Sequence, residues 1–271
     1  MTENQHNEEL TEDEFLQLVL DEQQKALAKA REERLNPQKK KPKKQKPLTR
    51  LVVWLMALIL IFNTFAILFN IYSIPAIEFL RISTQLSGQQ DIQLYKKAVV
   101  TINTDSSKGT GFAVSEDGFI LTNEHVIDDT TTITVTFPDD KLYQAEVIEA
   151  FEQYDLALLK VAGNDLPHLT LSETSSFSDH QHVYFIGNPL AFSGIANEGE
   201  IIGLTEASLI DTEIIMMDAP VYRGNSGSPV ITEEGQVLGI VFATGKRQPH
   251  GKVGLFIPIE RVHESFSNYL H

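Results

Sequence analysis

The apolar residues fall into two regimes. From Leu51 to Tyr72 they run almost unbroken, 22 residues of mostly Leu, Ile, Val, Phe and Ala, with no charge between 51 and 77. As a helix that run spans roughly 33 Å at about 1.5 Å per residue, the thickness of a bilayer's hydrocarbon core. From about Asp91 the texture changes to short runs rich in β-branched and aromatic residues. They are Ala98–Ile102, Gly111–Val114, Phe119–Thr122, Thr131–Thr136, Tyr143–Ile148, Leu156–Val161, His182–Ile186, Glu200–Gly203, Ile214–Met217, Pro229–Ile231, Val237–Phe242 and Val253–Pro258. Ser-Glu-Asp-Gly at 115–118, Pro-Asp-Asp at 138–140 and Glu-Glu-Gly at 233–235 separate neighbouring runs at hairpin distance. About twelve short strands predict an all-β domain, a sandwich or a pair of barrels. Ile259–Leu270 reads as a terminal helix.

Ahead of the apolar run lie two polar stretches. Residues 1–37 have a helical flavour: Thr11 with Glu14 forms a capping box, and Leu16, Leu20 and Leu27 make a thin stripe. Such a helix is either solvated or a docking element for a cytoplasmic partner. Residues 39–50 run Lys-Lys-Lys-Pro-Lys-Lys-Gln-Lys-Pro-Leu-Thr-Arg, and two prolines argue against a helix there. Basic residues just before an apolar span are a topology signal. They place the N-terminus in the cytoplasm and residues 73–271 outside, with the span as an uncleaved anchor. A cleaved signal peptide fits poorly, because its n-region would be 50 residues long and Ser73-Ile74-Pro75-Ala76 is a poor cleavage site. Asn63, Thr64 and Asn70 are the polar members of the span. The expected organisation is a cytoplasmic segment 1–50, a transmembrane helix 51–72, a connector 73–90 with a short helix at Ala76–Leu86, a catalytic-type domain 91–262 and a tail 263–271.

Composition narrows the chemistry. The 271 residues include no cysteine, which excludes disulfides, a thiolate nucleophile and Cys-ligated metal. Residues 1–50 carry 11 basic and 10 acidic side chains, leaving 11 basic and 27 acidic, net −16, for the rest. A domain so acidic lacks the phosphate-neutralising surface of a nucleic-acid binder. His6, His168, His180, His182, His250, His263 and His271 form no familiar zinc spacing, and no glycine-rich phosphate loop is present. Neither a metal nor another cofactor is expected.

Three segments carry reactive residue types: Thr122–Ile127 with His125, Tyr154–Lys160 with Asp155, and Gly224–Pro229 with Ser226. A serine hydroxyl is a weak nucleophile that needs an imidazole base, and the imidazole needs a carboxylate to hold its tautomer. His, Asp, Ser is one of the known chain orders for that geometry. Glycines beside Ser226 allow a tight turn, with the amides of Gly224 and Ser226 as an oxyanion hole.

These segments resemble the chymotrypsin-fold serine proteases, and most closely the HtrA/Deg family. Thr122–Val126 matches that family's Thr-Asn-x-His-Val. Asp155–Lys160 matches Asp-x-Ala-Leu-Leu-Lys, and Gly224–Pro229 matches Gly-Asn-Ser-Gly-Gly-Pro with Ser228 in place of the second glycine. Gly109–Phe112, Ile186–Pro189, Asp218-Ala219 and Gly254–Pro258 are similar to further marks of the family. The likeness covers roughly residues 90–262. It implies a double six-stranded β-barrel with the active site between the barrels. The implied activity is a serine endopeptidase acting on misfolded or exported proteins at the outer face of the membrane.

The resemblance has departures with consequences. Pro220, Tyr222 and Arg223 differ from the usual run before the nucleophile glycine, which opens a second reading: a silent or activator-dependent scaffold that binds peptides or partners. Asn225, rather than Asp, precedes the nucleophile, implying no zymogen cleavage. Only about ten residues follow Arg261, too few for the PDZ domain common in the family. Trimerisation is common there, and its contacts would lie at residues 73–95. An extended substrate would pair beside Val241–Thr244. The expected primary pocket is Pro220, Ile240, Val241, Ala243 and Leu255, and lacking an acid it selects a small or medium apolar residue.

Overall fold

The computed structural model describes residues 12–35, 47–105, 107–128, 130–189, 192–206 and 210–270, with the side chains of 12, 47, 49 and 65–76 left aside. Thr11 and the basic run at 39–46 lie outside the described residues. Chain contacts divide the protein into Met1–Thr64 and Phe65–His271.

In the first unit α1 spans Glu12–Leu35, and its Leu16, Leu20 and Leu27 are all exposed. Helix α2 begins at Pro47 and runs to Leu86. Its side chains from Leu51 to Phe62 are nearly all exposed, Trp54 at 75% and Phe62 at 71%. Among the described residues no helix is long and apolar enough to cross a membrane. The side chains of 65–76, which include the last eight residues of the expected span, lie outside that description, so the anchor read at 51–72 is not shown here.

In the second unit α3 (Gln90–Ala98) leads into thirteen strands: β1 Val99–Asn103, β2 Lys108–Ala113, β3 Phe119–Thr122, β4 Ile133–Thr136, β5 Leu142–Phe151, β6 Leu156–Val161, β7 Thr170–Leu171, β8 His182–Gly187, β9 Ile195–Glu206, β10 Glu213–Asp218, β11 Pro229–Ile231, β12 Gln236–Arg247 and β13 Gly251–Pro258. A four-residue helix, α4 (Glu124–Ile127), follows β3, and α5 (Ile259–Ser265) follows β13. Strands β1-β2-β3-β6-β5-β4 close into one barrel. The order β11-β8-β9-β10-β13-β12, returned to its start by the β11–β12 pairing, makes a second. Closure leaves few free edges, which is how short strands survive without aggregating. β7 adds a short parallel pairing to β12 through Gln236↔Thr170.

Inward-facing residues such as Val100, Ile102, Ile120, Val135 and Leu159 fill the first barrel, and Val183, Phe185, Ile215 and Phe256 the second. Phe112, Leu121, Leu156 and Leu158 pack in one cluster with Ile186, Ile231, Ile240 and Ile257, so a shared apolar seam fixes one barrel against the other. The end of α2 docks on the second barrel. Phe79 is buried, its carbonyl accepts from Asn197 Nδ2 at 2.9 Å, and Ser83 Oγ accepts from the Ala196 amide at 3.2 Å. Phe79, Leu86 and Ile92 are thus covered by their own chain, while Ile77 and Leu94 stay exposed in the region expected to make trimer contacts.

Each expected short strand overlaps an observed one; Ala98, Val114 and Thr131-Thr132 fall outside, and several strands run longer than read. The run read as Glu200–Gly203 is part of the twelve-residue β9, and the run read as Val237–Phe242 is part of the twelve-residue β12. Most of their extra residues are polar, glycine or alanine, poor strand formers that the barrel pairing recruits, as in Arg247↔Gly251. α3 and β7 are additions: nine and two residues are too short to leave a periodic signal.

Candidate active site

Strand register brings the histidine and the aspartate together. β3 and β6 run antiparallel with Thr122 opposite Ala157. His125 lies three residues past the end of the first strand, and Asp155 immediately precedes the second. The turn before β6 is a short 3-10 helix, Glu152–Tyr154, and Asp155 caps it in the left-handed region at φ 53°. Aspartate tolerates that region better than bulky residues. Asp155 Oδ1 accepts the His125 backbone N–H at 3.0 Å, and His125 Nδ1 lies 2.8 Å from both carboxylate oxygens. A carboxylate can only accept, so Nδ1 carries the proton and Nε2 is free to take one. Asn123, fully buried, donates from Nδ2 to the Asp155 carbonyl at 2.8 Å and holds the turn.

Ser226 sits on the loop between β10 and β11, and that loop hangs from the first barrel. The buried Thr110 of β2 donates its amide to the Ser226 carbonyl at 3.0 Å and its hydroxyl to the Gly224 carbonyl at 2.7 Å. Gly224 and Gly227 have φ of 97° and 84°, a region costly to any side chain. A Cβ at Gly227 would also meet the Thr110 carbonyl and come within 2.6 Å of Thr122 Oγ1. Ser228 is not among the residues with positive φ, so its side chain is tolerated where the family motif has glycine. Among the described residues the amides of Gly224 and Ser226 have no acceptor. The Ser226 hydroxyl donates to the Phe242 carbonyl at 3.4 Å rather than to His125. His125, Gly224 and Ser226 nonetheless line one cavity of about 550 Å³ with Thr104, Ser107, Lys108, Gly109, Val126 and Arg223.

The pocket residues divide. Pro220 and Ala243 are half-buried and Leu255 is 5% exposed. Ile240 and Val241 are completely buried in the cores, and both backbone groups of Val241 are taken by Gly227 and Ser228. The reading of those two as pocket lining is therefore corrected: Ile240 packs in the core, and Val241 holds the nucleophile loop against β12. The register shift between Val241 and Ala243 is what turns the strand from loop support to cleft edge.

Burial alone pulls the His125 imidazole down, but its hydrogen bond to Asp155, the Asp155 charge and that of Glu124 outweigh it, and the pKa is raised above 6.5. Burial, then the charges of Asp128, Asp155 and Glu152, raise Glu124. Sequence reasoning gave no role to Thr110, Asn123 and Asn188, although each lies in a motif it singled out. Asn188 donates twice to the first barrel, from Nδ2 to the Val100 carbonyl at 2.8 Å and from its amide to Thr110 Oγ1 at 2.9 Å. Thr110 and Asn188 thus stitch the barrels at the cleft, while Asn123 braces the first barrel.

A chymotrypsin-like double barrel with this cluster in its cleft defines the trypsin-like class. Residues 109–240 match the family described as the trypsin-like peptidase domain. A probable periplasmic serine endoprotease, DegP-like, of Chlamydia muridarum is 37% identical over 139 residues, 50% of this chain and 28% of that protein. Serine protease HTR4 of Rattus norvegicus is 32% identical over 186 residues, 66% of this chain and 37% of that one. Among solved structures, the Rv3671c protease of M. tuberculosis in its inactive form has a TM-score of 0.59 at 26% identity, covering 68% of this chain and 94% of that one. The HtrA-type protease AlgW with a tripeptide has a TM-score of 0.60 at 26% identity, covering 67% and 62%. Residues 109–240 are thus similar to trypsin-like peptidase domains, and the chain spans only 28% and 37% of the two curated relatives.

Proposed function

We propose that the protein is a serine endopeptidase that cleaves misfolded or exported proteins by acyl transfer. Ser226 attacks the scissile carbonyl while His125 Nε2 takes its proton, and Asp155 holds the imidazole and stabilises its cation. The amides of Gly224 and Ser226 donate to the oxyanion, and water resolves the acyl-enzyme with His125 again as base. The observation that carries this reading is the 2.8 Å contact of His125 Nδ1 with Asp155 in the same cavity as Ser226. Pro220, Ala243 and Leu255 offer no carboxylate, which favours a small or medium apolar residue before the scissile bond.

Membrane attachment belongs to the same proposal. Its support is the uncharged stretch Leu51–Tyr72 and the exposure of apolar side chains on every side of the helix from Leu51 to Phe62. A helix apolar all round needs an apolar solvent. With the basic residues ahead of it, the domain would face outward, as the word periplasmic in its relatives' names suggests.

One observation favours a second reading, a domain that awaits an activator: the Ser226 hydroxyl faces the Phe242 carbonyl and not His125. Fluorophosphonate labelling of the full chain separates the two. Labelling that is lost in both Ser226→Ala and His125→Ala supports the hydrolase. A folded chain that never labels refutes it in favour of the scaffold.

A further inference from the structure

Among the described residues the cleft beside Ser226 is lined by two cations, Lys108 and Arg223, and by no carboxylate. This is unusual in a chain whose residues beyond 50 hold 27 acidic and 11 basic side chains. Both cations are exposed, and among the described residues neither has a carboxylate within ion-pair distance, whereas Lys141, Lys160 and Arg261 each have one. They reach the cleft from opposite barrels. Lys108 opens β2, two residues before Thr110, whose amide binds the Ser226 carbonyl. Arg223 immediately precedes Gly224, whose carbonyl accepts the Thr110 hydroxyl. The same threonine therefore holds both cations near the nucleophile.

An extended substrate is expected to pair its acyl half beside Val241–Thr244 of β12, the strand whose Phe242 carbonyl accepts from the Ser226 hydroxyl. No residue of β12 lines the cavity that holds Lys108 and Arg223. A cavity that touches Ser226 and His125 but not β12 is left to the leaving half.

We infer that Lys108 and Arg223 are specificity-determining residues that select acidic side chains in the first two positions after the scissile bond. This rests on the endopeptidase reading and narrows it to a substrate class, segments with an apolar residue followed by Asp or Glu. Attraction by two exposed cations is modest and screened by salt.

The test uses the full chain carrying Ser226→Ala, so that binding is read without cleavage. Matched fluorescent peptides place Glu-Glu or Lys-Lys after the same apolar residue, and fluorescence anisotropy gives their dissociation constants. The Glu-Glu peptide is expected to bind about tenfold more tightly at low salt, with the gap closing as salt rises. In Lys108→Gln/Arg223→Gln the gap should vanish. Equal affinities, or a gap that survives the double substitution, overturn the inference. If the double variant fails to fold, the comparison of the two peptides on the parent chain still decides. Fluorophosphonate labelling of Ser226 in the unmodified chain distinguishes the underlying failures. Labelling without acid preference sinks this inference alone, and acid preference without labelling keeps the subsite and sinks the hydrolase.

Discussion

Asp155→Asn tests the site where its geometry is most specific. Asp155 is 8% exposed, and its carboxylate receives both the His125 amide and Nδ1. Asparagine preserves the shape and can still accept the amide. It removes the charge, and its own amide hydrogens can turn toward Nδ1, which favours the tautomer with the proton on Nε2. That proton blocks the base. The equivalent change in a Ser-His-Asp triad lowers turnover by about 10⁴, equal to about 5.5 kcal/mol of barrier. The assay is the second-order rate of fluorophosphonate labelling against pH, on the full chain. In the parent chain the rate should rise with pH through a midpoint above 6.5, because His125 is raised and must be neutral to act. In Asp155→Asn the groups raising the imidazole are reduced to Glu124, so the midpoint should move down and the rate at pH 7 should fall steeply. The same shift fixes the sign for stability. A raised histidine contributes fully below the unfolded value of 6.5, and the contribution is lost as pH rises through the folded value. An Asp155→Asn rate within tenfold of the parent at pH 7, with His125→Ala dead, would refute the role given to the carboxylate.

Other substitutions probe the frame around the site. Gly227→Ala forces a side chain into φ 84° and against Thr110 and Thr122. It should cost about 3 kcal/mol in denaturant unfolding, and labelling should fall with it. Ser228→Ala removes a buried hydroxyl that has no partner among the described residues, so stability should hold or rise by up to about 1 kcal/mol. A loss above about 2 kcal/mol would mean the hydroxyl is bonded after all. Phe79→Ala deletes a ring that meets Tyr222 edge-on at 4.8 Å. Stability should drop by about 3 kcal/mol. Labelling should slow too, because the Tyr222 carbonyl holds the Asn225 amide at 3.0 Å; unchanged labelling would uncouple the helix from the loop.

Much of this domain was legible along the chain because its signals are local. Period-two runs and turn residues announce strands, and each of the twelve expected runs overlaps an observed one, nine of them at or inside its bounds. His125, Asp155 and Ser226 were legible because each sits in a short stretch of fixed chemistry. The pocket was read less well. Ile240 and Val241 look like any apolar strand residues, and nothing local reveals that a register shift after Val241 changes which side chains face the cleft. Thr110, Asn123 and Asn188 stood inside recognised motifs, but a polar residue's partner is known only when the other strand arrives.

By itself the sequence determined the class of fold, the nature of the reactive groups and the uncharged stretch ahead of the domain, since hydropathy period, residue type and charge are properties of neighbours in the chain. Only the tertiary structure decided which groups meet. The pairing of Thr122 with Ala157 brings Asp155 to His125, and Thr110 hangs the Ser226 loop on the opposite barrel. It also decided that Lys108 and Arg223, 115 positions apart, share one cleft. Strand register and the closure of two barrels set those distances, and both are fixed by contacts between residues far apart in the chain.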